Sequence, residues 1–518
     1  MRTAVLLLAC SIATAQEQDF AGAGEFHLSM LGAKPGPKVE RGELILLHGN
    51  WARGELNNAI SFDRTAKGPH LVVDASFRFS LSKGAHGGGF ALLNTKHYGV
   101  KGPAPKVDAW EAPNLKGTFA VGLDTFNPPT SHWFNEFGNI HDRPEREISL
   151  HWDGKELLKL LSPIEFRDGK PHTLALQLRY VVGGVHATLK LDGSVLVRER
   201  FFAGPTPYEA RPAFGGRTGG TATVMKLDDV RVRYAQKGTF DAPKRVRTFD
   251  GVVLHGKNRK TKAAFDLPDA LSRRIICNLT LEPGPGGWDK WDKSAAIYVF
   301  KDGQRYEIVR YITPYKRTWT WKVDVTDYQS LLRGKTTLGL YADSWQKQEE
   351  PLKGFKVTVD FDIFPGKPTR EAYQVINLWN KTYEFGNEPD KIAEAFPMIT
   401  HTIDAAARGG KLRFMVTGHG NFGEFTAADR TVVFGGKEFR NRLWKEDCYL
   451  NPVRPQSGTW KFDRAGWAPG DVVTPWDIQV SNLLKPGAEA RILYRPAPFR
   501  GMRGKASHWI ESQLILYR

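Results

Sequence analysis

Short runs in which apolar and polar residues alternate dominate the first half of this sequence, and they restrict it to a fold built from β-sheets. Five such runs are His70–Phe79, Gly117–Phe126, Glu147–Trp152, His172–Tyr180 and His186–Leu191. Successive side chains of a strand point to opposite faces, so alternation of this kind buries one face of a sheet. Helical periodicity is almost missing between residues 25 and 234. The pattern therefore predicts a two-sheet sandwich.

Turn signals and seams divide the chain further. Gly183-Gly184 and Asp192-Gly193 each stand between two alternating runs, which predicts hairpins. With 518 residues the chain exceeds what one hydrophobic core usually serves, so several domains are expected. Polar segments rich in Gly and Pro at residues 236–244 and 364–368 mark the boundaries. We predict domains at residues 18–240, 243–366 and 367–518.

The two later regions also read as strands. The middle region ends with a predicted strand at Phe355–Ile363. In the last region, Ile392–Thr400 and the C-terminal segment Ser507–Tyr517 also have the composition of strands. Gly and Pro are plentiful, with 52 and 31 residues, which suits short strands joined by turns. The expected fold class is all-β throughout.

The N-terminus has the pattern of a secretory signal peptide, predicted at residues 1–15. Met1-Arg2 is followed by an apolar run, Ala4–Ala9, and by the A-x-A site Ala13-Thr14-Ala15. Cys10 suggests lipoprotein processing instead, but it lies early in the segment, and cleavage at the A-x-A site is the preferred interpretation. The sequence has no other apolar stretch long enough for a membrane span. We expect a monomer exported to the periplasm or the extracellular medium.

Charge and cysteine content exclude several classes. The net charge is +17, which could favour anionic glycans, acidic glycoproteins or nucleic acid. The Lys and Arg residues are dispersed and form no nucleic-acid motif, so solvated surface charge is the preferred interpretation. After loss of Cys10 only Cys277 and Cys448 remain, so at most one disulfide is possible.

Familiar catalytic motifs are missing from the sequence, and carboxylates are left as candidates for acid–base work. It contains no H-E-x-x-H, no zinc-spaced Cys pairs, no phosphate-binding loop and no G-x-S-x-G elbow. No metal or cofactor is expected. Acidic residues do stand close to Trp in three clusters, and this pairing suits carbohydrate because an indole can cover the apolar face of a sugar. The clusters are Gly287–Val299, Leu340–Trp345 and a third formed by Gly418–Phe425 with Asp463–Trp467.

From about Arg245 to the C-terminus the sequence resembles the peptide-N-glycosidase F family. The strings that carry the resemblance are Trp291-Asp-Lys-x-Ala-x-Ile-Tyr-Val299, Tyr306-Glu-Ile-x-Arg-Tyr-Ile-Thr-Pro-Tyr315, Val323–Leu332, Val359–Ile363, Cys448-x-x-Asn-Pro, Gln456-Ser-x-Gly-x-Trp460 and Asp463-Arg-Ala-Gly-Trp-x-Pro-Gly470. They occur in the family's order and in both halves. The resemblance implies two adjacent jelly-roll sandwiches. It also implies hydrolysis of the asparagine side-chain amide of N-glycoproteins or N-glycopeptides.

Site roles follow from the resemblance position by position. Asp292 matches the essential Asp of the family; Asp289, in the preceding Trp-Asp-Lys, is the alternative, and the spacing to Ile297 favours Asp292. Asp343 stands where the family has a Glu that acts through a water. Glu424 matches a Glu that meets the first sugar, and Arg464 matches the Arg beside it. The other residues expected to bind substrate are Trp291, Lys293, Trp345, His419 and Trp467.

Departures from the family concern the rim of the expected cleft. Phe422 and Thr426 occupy the positions of family cysteines, Ala468 replaces the partner of Cys448, and Thr417 replaces a cleft Trp. These changes leave the preferred glycan open, and which carboxylate moves which proton is open as well.

The N-terminal region resembles the concanavalin and legume-lectin sandwiches, through Gly89–Leu93, Leu123–Asn127 and Lys226–Val232. Gly88 and Gly122 replace a sugar-binding Asp and a metal-binding Glu of that superfamily. An accessory sandwich is therefore the preferred interpretation, and a sandwich that contacts carbohydrate is the alternative.

A secreted amidase that releases N-glycans is thus the predicted function. The alternative is a non-catalytic glycan-binding or adhesive protein with the same fold. A glycosidase acting through the first sandwich is disfavoured, because the sequence has no E-x-D-x-x-E pattern there.

Overall fold

A computed structural model describes residues 14–22, 24–49, 55–126, 146–345, 352–385, 391–498 and 506–518. The predicted signal peptide lies almost entirely outside these residues. The chain divides into two compact units, Met1–Asp241 and Ala242–Arg518.

The N-terminal unit is a sandwich of an eight-stranded and a seven-stranded sheet, both antiparallel. Its elements are β1 (Thr14–Gln18), β2 (Phe26–Met30), β3 (Lys38–Glu40), β4 (Glu43–His48), β5 (Asn57–Phe62), β6 (His70–Ser82), β7 (His86–Asn94), α1 (Thr95–Tyr98), β8 (Phe119–Asp124), β9 (Glu147–Trp152), β10 (Lys155–Leu161), β11 (Asp168–Val181), β12 (Gly184–Leu191), β13 (Ser194–Ala203), β14 (Ala210–Thr218) and β15 (Val224–Lys237). One sheet has the order β13-β12-β11-β6-β15-β4-β3, with β1 also paired to β15. The other has the order β10-β9-β8-β7-β14-β5-β2.

Strand β6 shows why this unit forms. Its burial alternates residue by residue, with Phe77, Phe79 and Leu81 in the core and the residues between them facing outward. Both predicted hairpins are present: Val181 pairs with Gly184, and Leu191 pairs with Ser194. The predicted two-sheet sandwich is confirmed.

The C-terminal unit contains two further sandwiches, each made of two four-stranded antiparallel sheets. The strands of the first are β16 (Lys244–Leu254), β17 (Lys260–Leu267), β18 (Ser272–Pro283), β19 (Ser294–Lys301), β20 (Gln304–Ile312), β21 (Trp319–Asp324), β22 (Gly334–Ala342) and β23 (Phe355–Pro365). The elements of the second are β24 (Ala372–Phe385), α2 (Ile392–Ala395), β25 (Ile399–Thr402), β26 (Gly409–His419), α3 (Asn421–Glu424), β27 (Ala428–Phe434), β28 (Lys437–Leu443), β29 (Trp476–Gln479), β30 (Glu489–Pro496) and β31 (Ala506–Tyr517).

Sheet order in this unit is β16-β23-β18-β21 against β17-β22-β19-β20, then β24-β31-β26-β29 against β25-β30-β27-β28. The expected all-β class is confirmed. The expectation of a strand at Ile392–Thr400 was wrong. This segment forms the helical turn α2 before the short strand β25, and the long strand β24 precedes both. None of the helices in the described ranges is long and apolar enough to cross a membrane.

Strand β31 joins the two C-terminal sandwiches. Leu514 and Leu516 lie in the core of the second sandwich, whereas Ile515 and Tyr517 lie in the core of the first. Because side chains alternate across a strand, one segment serves two cores. Such a strand must be apolar on both faces, which explains why its sequence shows a continuous apolar end rather than alternation.

Candidate active site

Sheet register brings three separated segments of the first C-terminal sandwich to one edge. Strand β19 starts at Ser294, which pairs with Ile312 at the end of β20. Its next residue, Ala295, pairs with Ala342 at the end of β22. The turn before β19 and the segments after β20 and β22 therefore meet there. These segments carry Asp292, Tyr315 and Asp343.

The second C-terminal sandwich supplies the opposite wall from the end of β26. His419 is the last residue of this strand, and the short helix α3 follows with Glu424 at its end. Gly418 is needed at this point, because a Cβ atom there would lie 2.2 Å from the carbonyl oxygen of Gly423 and 2.5 Å from Cβ of Ala465. The missing side chain lets α3 and the segment of Ala465 fold back against β26.

Arg464 reaches the site from a long loop that backbone hydrogen bonds hold on both sides. Its amide and carbonyl pair with Lys445, and the next amide, of Ala465, donates to the carbonyl oxygen of Glu424 at 2.9 Å. The same loop binds the first C-terminal sandwich, where the Ile312 amide donates to the carbonyl oxygen of Asp471. Arg464 is thus fixed between the two walls.

One cavity of about 1520 Å³ collects these residues. Eight of the nine residues expected from the sequence line it, namely Trp291, Asp292, Lys293, Asp343, Trp345, His419, Glu424 and Trp467. The ninth, Arg464, is fully buried and contacts the cavity through Glu424. Asp289 does not line the cavity; its carboxylate is buried and accepts hydrogen bonds from Ser344 Oγ at 2.6 Å and the Trp291 amide at 3.2 Å.

Asp292 lies in surroundings that favour its protonated form. Burial raises the pKa of its carboxyl group above the ordinary value, while a hydrogen bond from Tyr315 and the charges of Arg464 and Lys293 oppose the rise. The net direction is upward. A carboxyl group shifted toward neutral pH can exchange a proton with a reacting group more readily than an ordinary aspartate.

Glu424 and Arg464 form the second charged group of the cavity. Arg464 Nε donates to Glu424 Oε1 at 2.9 Å, and its other nitrogens donate to Phe462 O and Thr459 Oγ1. Burial raises the pKa of Glu424, Arg464 lowers it, and the nearby charge of Asp292 raises it further. The two carboxyl groups therefore influence each other across the cavity.

Asp343 lies in a different local environment. Its Oδ1 accepts from Trp345 Nε1 at 2.8 Å and from Arg259 at 3.2 Å. The buried ammonium group of Lys293 lies 3.8 Å from the centroid of the Trp345 ring. Burial lowers the pKa of Lys293 below its ordinary value, and the charges of Asp289, Asp343 and Asp292 oppose this shift. Asp343 thus acts on Lys293 and Trp345, whereas the role through a water that the family resemblance implies for this position stays a prediction.

His419 is neutral in this site. Burial and the charge of Arg310 lower its pKa to about 3. Its Nε2 lies 2.8 Å from Thr417 Oγ1, and its ring stacks on Trp467 with the centroids 5.7 Å apart. Thr417 is fully buried and links His419 to Arg310. His419 is therefore suited to hydrogen bonding rather than to carrying charge.

Tyr315 is the main residue that the sequence reasoning did not single out. Its hydroxyl group interacts with Asp292 and lies 3.3 Å from Thr459 Oγ1, so it connects the two sandwiches. The only signal was its place at the end of one of the family-like strings. In the described residues no group of three or more His, Cys, Asp or Glu side chains could hold a metal ion.

The raised pKa of Asp292 predicts how stability depends on pH. A carboxyl group with a higher pKa in the folded state stabilises the fold below its unfolded pKa, and this contribution is lost as pH rises through the folded pKa. The side chain of an Asp292→Asn variant cannot ionise. The free energy of unfolding of the variant should therefore increase relative to that of the wild type as pH rises from 3.8 to the folded pKa. Each unit of elevation corresponds to about 1.4 kcal/mol.

Chemical denaturation of both proteins at a series of pH values measures this difference. A difference that stays constant with pH would contradict the environment described for Asp292.

The site and fold define an all-β protein whose cleft between two sandwiches concentrates carboxyl groups. Its C-terminal part, residues 388–516, matches the family model described as "Peptide-N-glycosidase F, C terminal". Over 298 residues the chain is 31% identical to peptide-N(4)-(N-acetyl-beta-D-glucosaminyl)asparagine amidase F of Elizabethkingia miricola, covering 52% of this chain and 82% of that relative. The chain belongs to the peptide-N-glycosidase F family.

Solved structures give weaker likenesses. PNGase F, a glycosylasparaginase from Flavobacterium meningosepticum, is 27% identical with a TM-score of 0.48, over 54% of this chain and 96% of that chain. A structure of PNGF-II is 14% identical with a TM-score of 0.43, over 86% of this chain and 98% of that chain.

Proposed function

We propose that this protein hydrolyses the side-chain amide that links an N-glycan to asparagine, which leaves aspartate in the peptide. The observation that carries the proposal is that Asp292 and Glu424 line one cavity, with Arg464 bonded to Glu424 from behind it, in a chain that belongs to the peptide-N-glycosidase F family. A secreted location is part of the proposal and rests on the N-terminal sequence alone.

The reaction needs an activated water, a proton for the departing nitrogen and donors for the amide oxygen. Asp292, with its raised pKa, is proposed to handle the proton of the water or of the nitrogen. The hydroxyl group of Tyr315 and the ammonium group of Lys293 lie near this carboxyl group and could donate to the oxygen as it gains negative charge.

Glu424 and Arg464 are proposed to bind the first sugar. Because Arg464 is held by Glu424, Phe462 and Thr459, the carboxylate of Glu424 has a fixed direction and can accept from sugar hydroxyl groups. Trp291 and Trp345 are 49% and 66% exposed and offer faces for the sugar rings.

Mass analysis of an N-glycopeptide treated with the mature protein in heavy-oxygen water tests the proposal. We expect the asparagine to become aspartate with one heavy oxygen atom in its new carboxyl group. The sugar should leave as a glycosylamine, which then loses ammonia. A peptide that keeps a sugar stub would indicate a glycosidase, and an unchanged peptide would favour the glycan-binding alternative.

A further inference from the structure

The cavity continues beyond Asp343 into a part that the proposed reaction does not use. We propose that this outer part binds a negatively charged group on the peripheral residues of the glycan. The inference rests on the proposed function, because the two parts belong to one cavity.

The floor of the outer part is formed by one face of the sheet β17-β22-β19-β20. Lys260 and Lys262 are two residues apart on β17 and so share a face; they pair with Tyr341 and Gly339 of β22. Gly339 also pairs with Tyr298 of β19. All five residues line the cavity, so register alone places two lysines beside two tyrosines along its floor.

The opposite wall comes from the second C-terminal sandwich. Thr382 of β24 pairs with Trp509 of β31, and Lys381 precedes it; all three line the cavity. Trp509 packs edge-to-face with Tyr341, with ring centroids 5.9 Å apart, and the guanidinium of Arg310 lies 4.1 Å from its ring centroid. These two contacts hold the indole of the wall against the floor.

Cations dominate the lining of this outer part, through Lys260, Lys262, Arg305 and Lys381. Two of them lie over aromatic rings, which limits their freedom: Lys262 Nζ is 5.3 Å from the Phe300 centroid, and Arg305 is 4.5 Å from that of Tyr298. A cleft lined by one sign of charge raises the local concentration of ligands of the opposite sign.

Glu511 is the one acidic residue among these groups, and it offsets at most one of their four positive charges. Its side chain pairs with Arg305 but is buried, and burial together with the charge of Glu307 raises its pKa to about 8. The Oε2 atom of Glu511 is buried without a hydrogen-bond partner among the described residues.

Gly339 gives the floor its shape. A Cβ atom at this position would come within 2.7 Å of the Phe300 ring and 3.1 Å of the carbonyl oxygen of Thr261. The missing side chain lets Phe300 lie flat across the strand beneath Lys262. Aromatic faces beside several cations suit a sugar that carries a carboxylate, a sulfate or a phosphate.

Release rates from one glycopeptide, with and without its terminal sialic acids, test the inference. At low ionic strength we expect kcat/KM to be about fivefold higher for the sialylated form, as exposed charge pairs of modest strength would give. The preference should shrink at high salt. A Lys260→Gln/Lys262→Gln variant should lose it, whereas Lys335→Gln, an exposed lysine of β22 outside the cavity, should keep it. Sulfated and phosphorylated glycans in the same assay identify which anion is preferred.

Equal kcat/KM for charged and uncharged glycans, or a preference that survives in the double variant, would overturn the inference while leaving the proposed function intact. If neither glycopeptide is cleaved, the proposed function fails. Calorimetric binding of the sialylated and desialylated glycopeptides then decides the inference by itself, since tighter binding of the sialylated form is still required.

Discussion

An Asp292→Asn variant is expected to release glycan at least about 10³-fold more slowly than the wild type. The amide keeps the size of the carboxyl group but cannot exchange a proton with water or with the departing nitrogen. The loss should appear in kcat, measured as the rate at which the peptide product forms. Because the pKa of Asp292 is raised, ionisation of this carboxyl group destabilises the fold at neutral pH, so the amide variant should remain folded.

Asp289→Asn is the matched control, since it makes the same chemical change in the neighbouring Trp-Asp-Lys. Asp289 lies outside the cavity and accepts hydrogen bonds from Ser344 and the Trp291 amide. We expect its kcat to stay within about tenfold of the wild type, and its free energy of unfolding to fall by about 1–3 kcal/mol. Near-normal turnover in Asp292→Asn would remove Asp292 from the reaction, and full loss in Asp289→Asn alone would move the role there.

A Glu307→Gln variant is expected to lose about 3–5 kcal/mol of stability in the C-terminal unit. Arg310 Nε donates to Glu307 Oε1 at 2.6 Å, and a second nitrogen donates to Oε2 at 3.1 Å. Both side chains are fully buried. Arg310 also donates to Thr417 Oγ1 and to the carbonyl oxygen of Trp509, so the unpaired guanidinium would stand between the two sandwiches.

Hydrogen exchange in β20 and β31 measures this loss, because a chain with several sandwiches need not unfold in one step. Asp250→Asn is the control: Asp250 pairs with Arg247 at the same spacing of three residues, but it is 72% exposed. Its cost should stay below about 1 kcal/mol. A Glu307→Leu/Arg310→Met double variant should recover much of the stability, and equal costs in Glu307→Gln and Asp250→Asn would contradict the buried pair.

Alternation along the strands was readable from the sequence because one buried face imposes a period of two. It predicted β6, β9 and the paired strands of both hairpins in the N-terminal sandwich. It failed at Ile392–Thr400, where the helical turn α2 is too short to show a helical period. Strand β24 was not predicted, because its polar residues Asn380 and Lys381 interrupt the apolar pattern.

The sequence by itself determined the all-β class, the family and the nine expected site residues. The class depends on the local alternation of apolar and polar residues, and the family and the site residues depend on short motifs of neighbouring residues. Only the tertiary structure decided what those residues contact. Register at the edge of β19 brought Tyr315 and Asp343 to Asp292, and the long loop brought Arg464 to Glu424. It also turned Asp289 away from the cavity and placed Lys260 and Lys262 along its outer floor. Such pairings depend on strand neighbours far apart in the chain, and no spacing within a single segment records them.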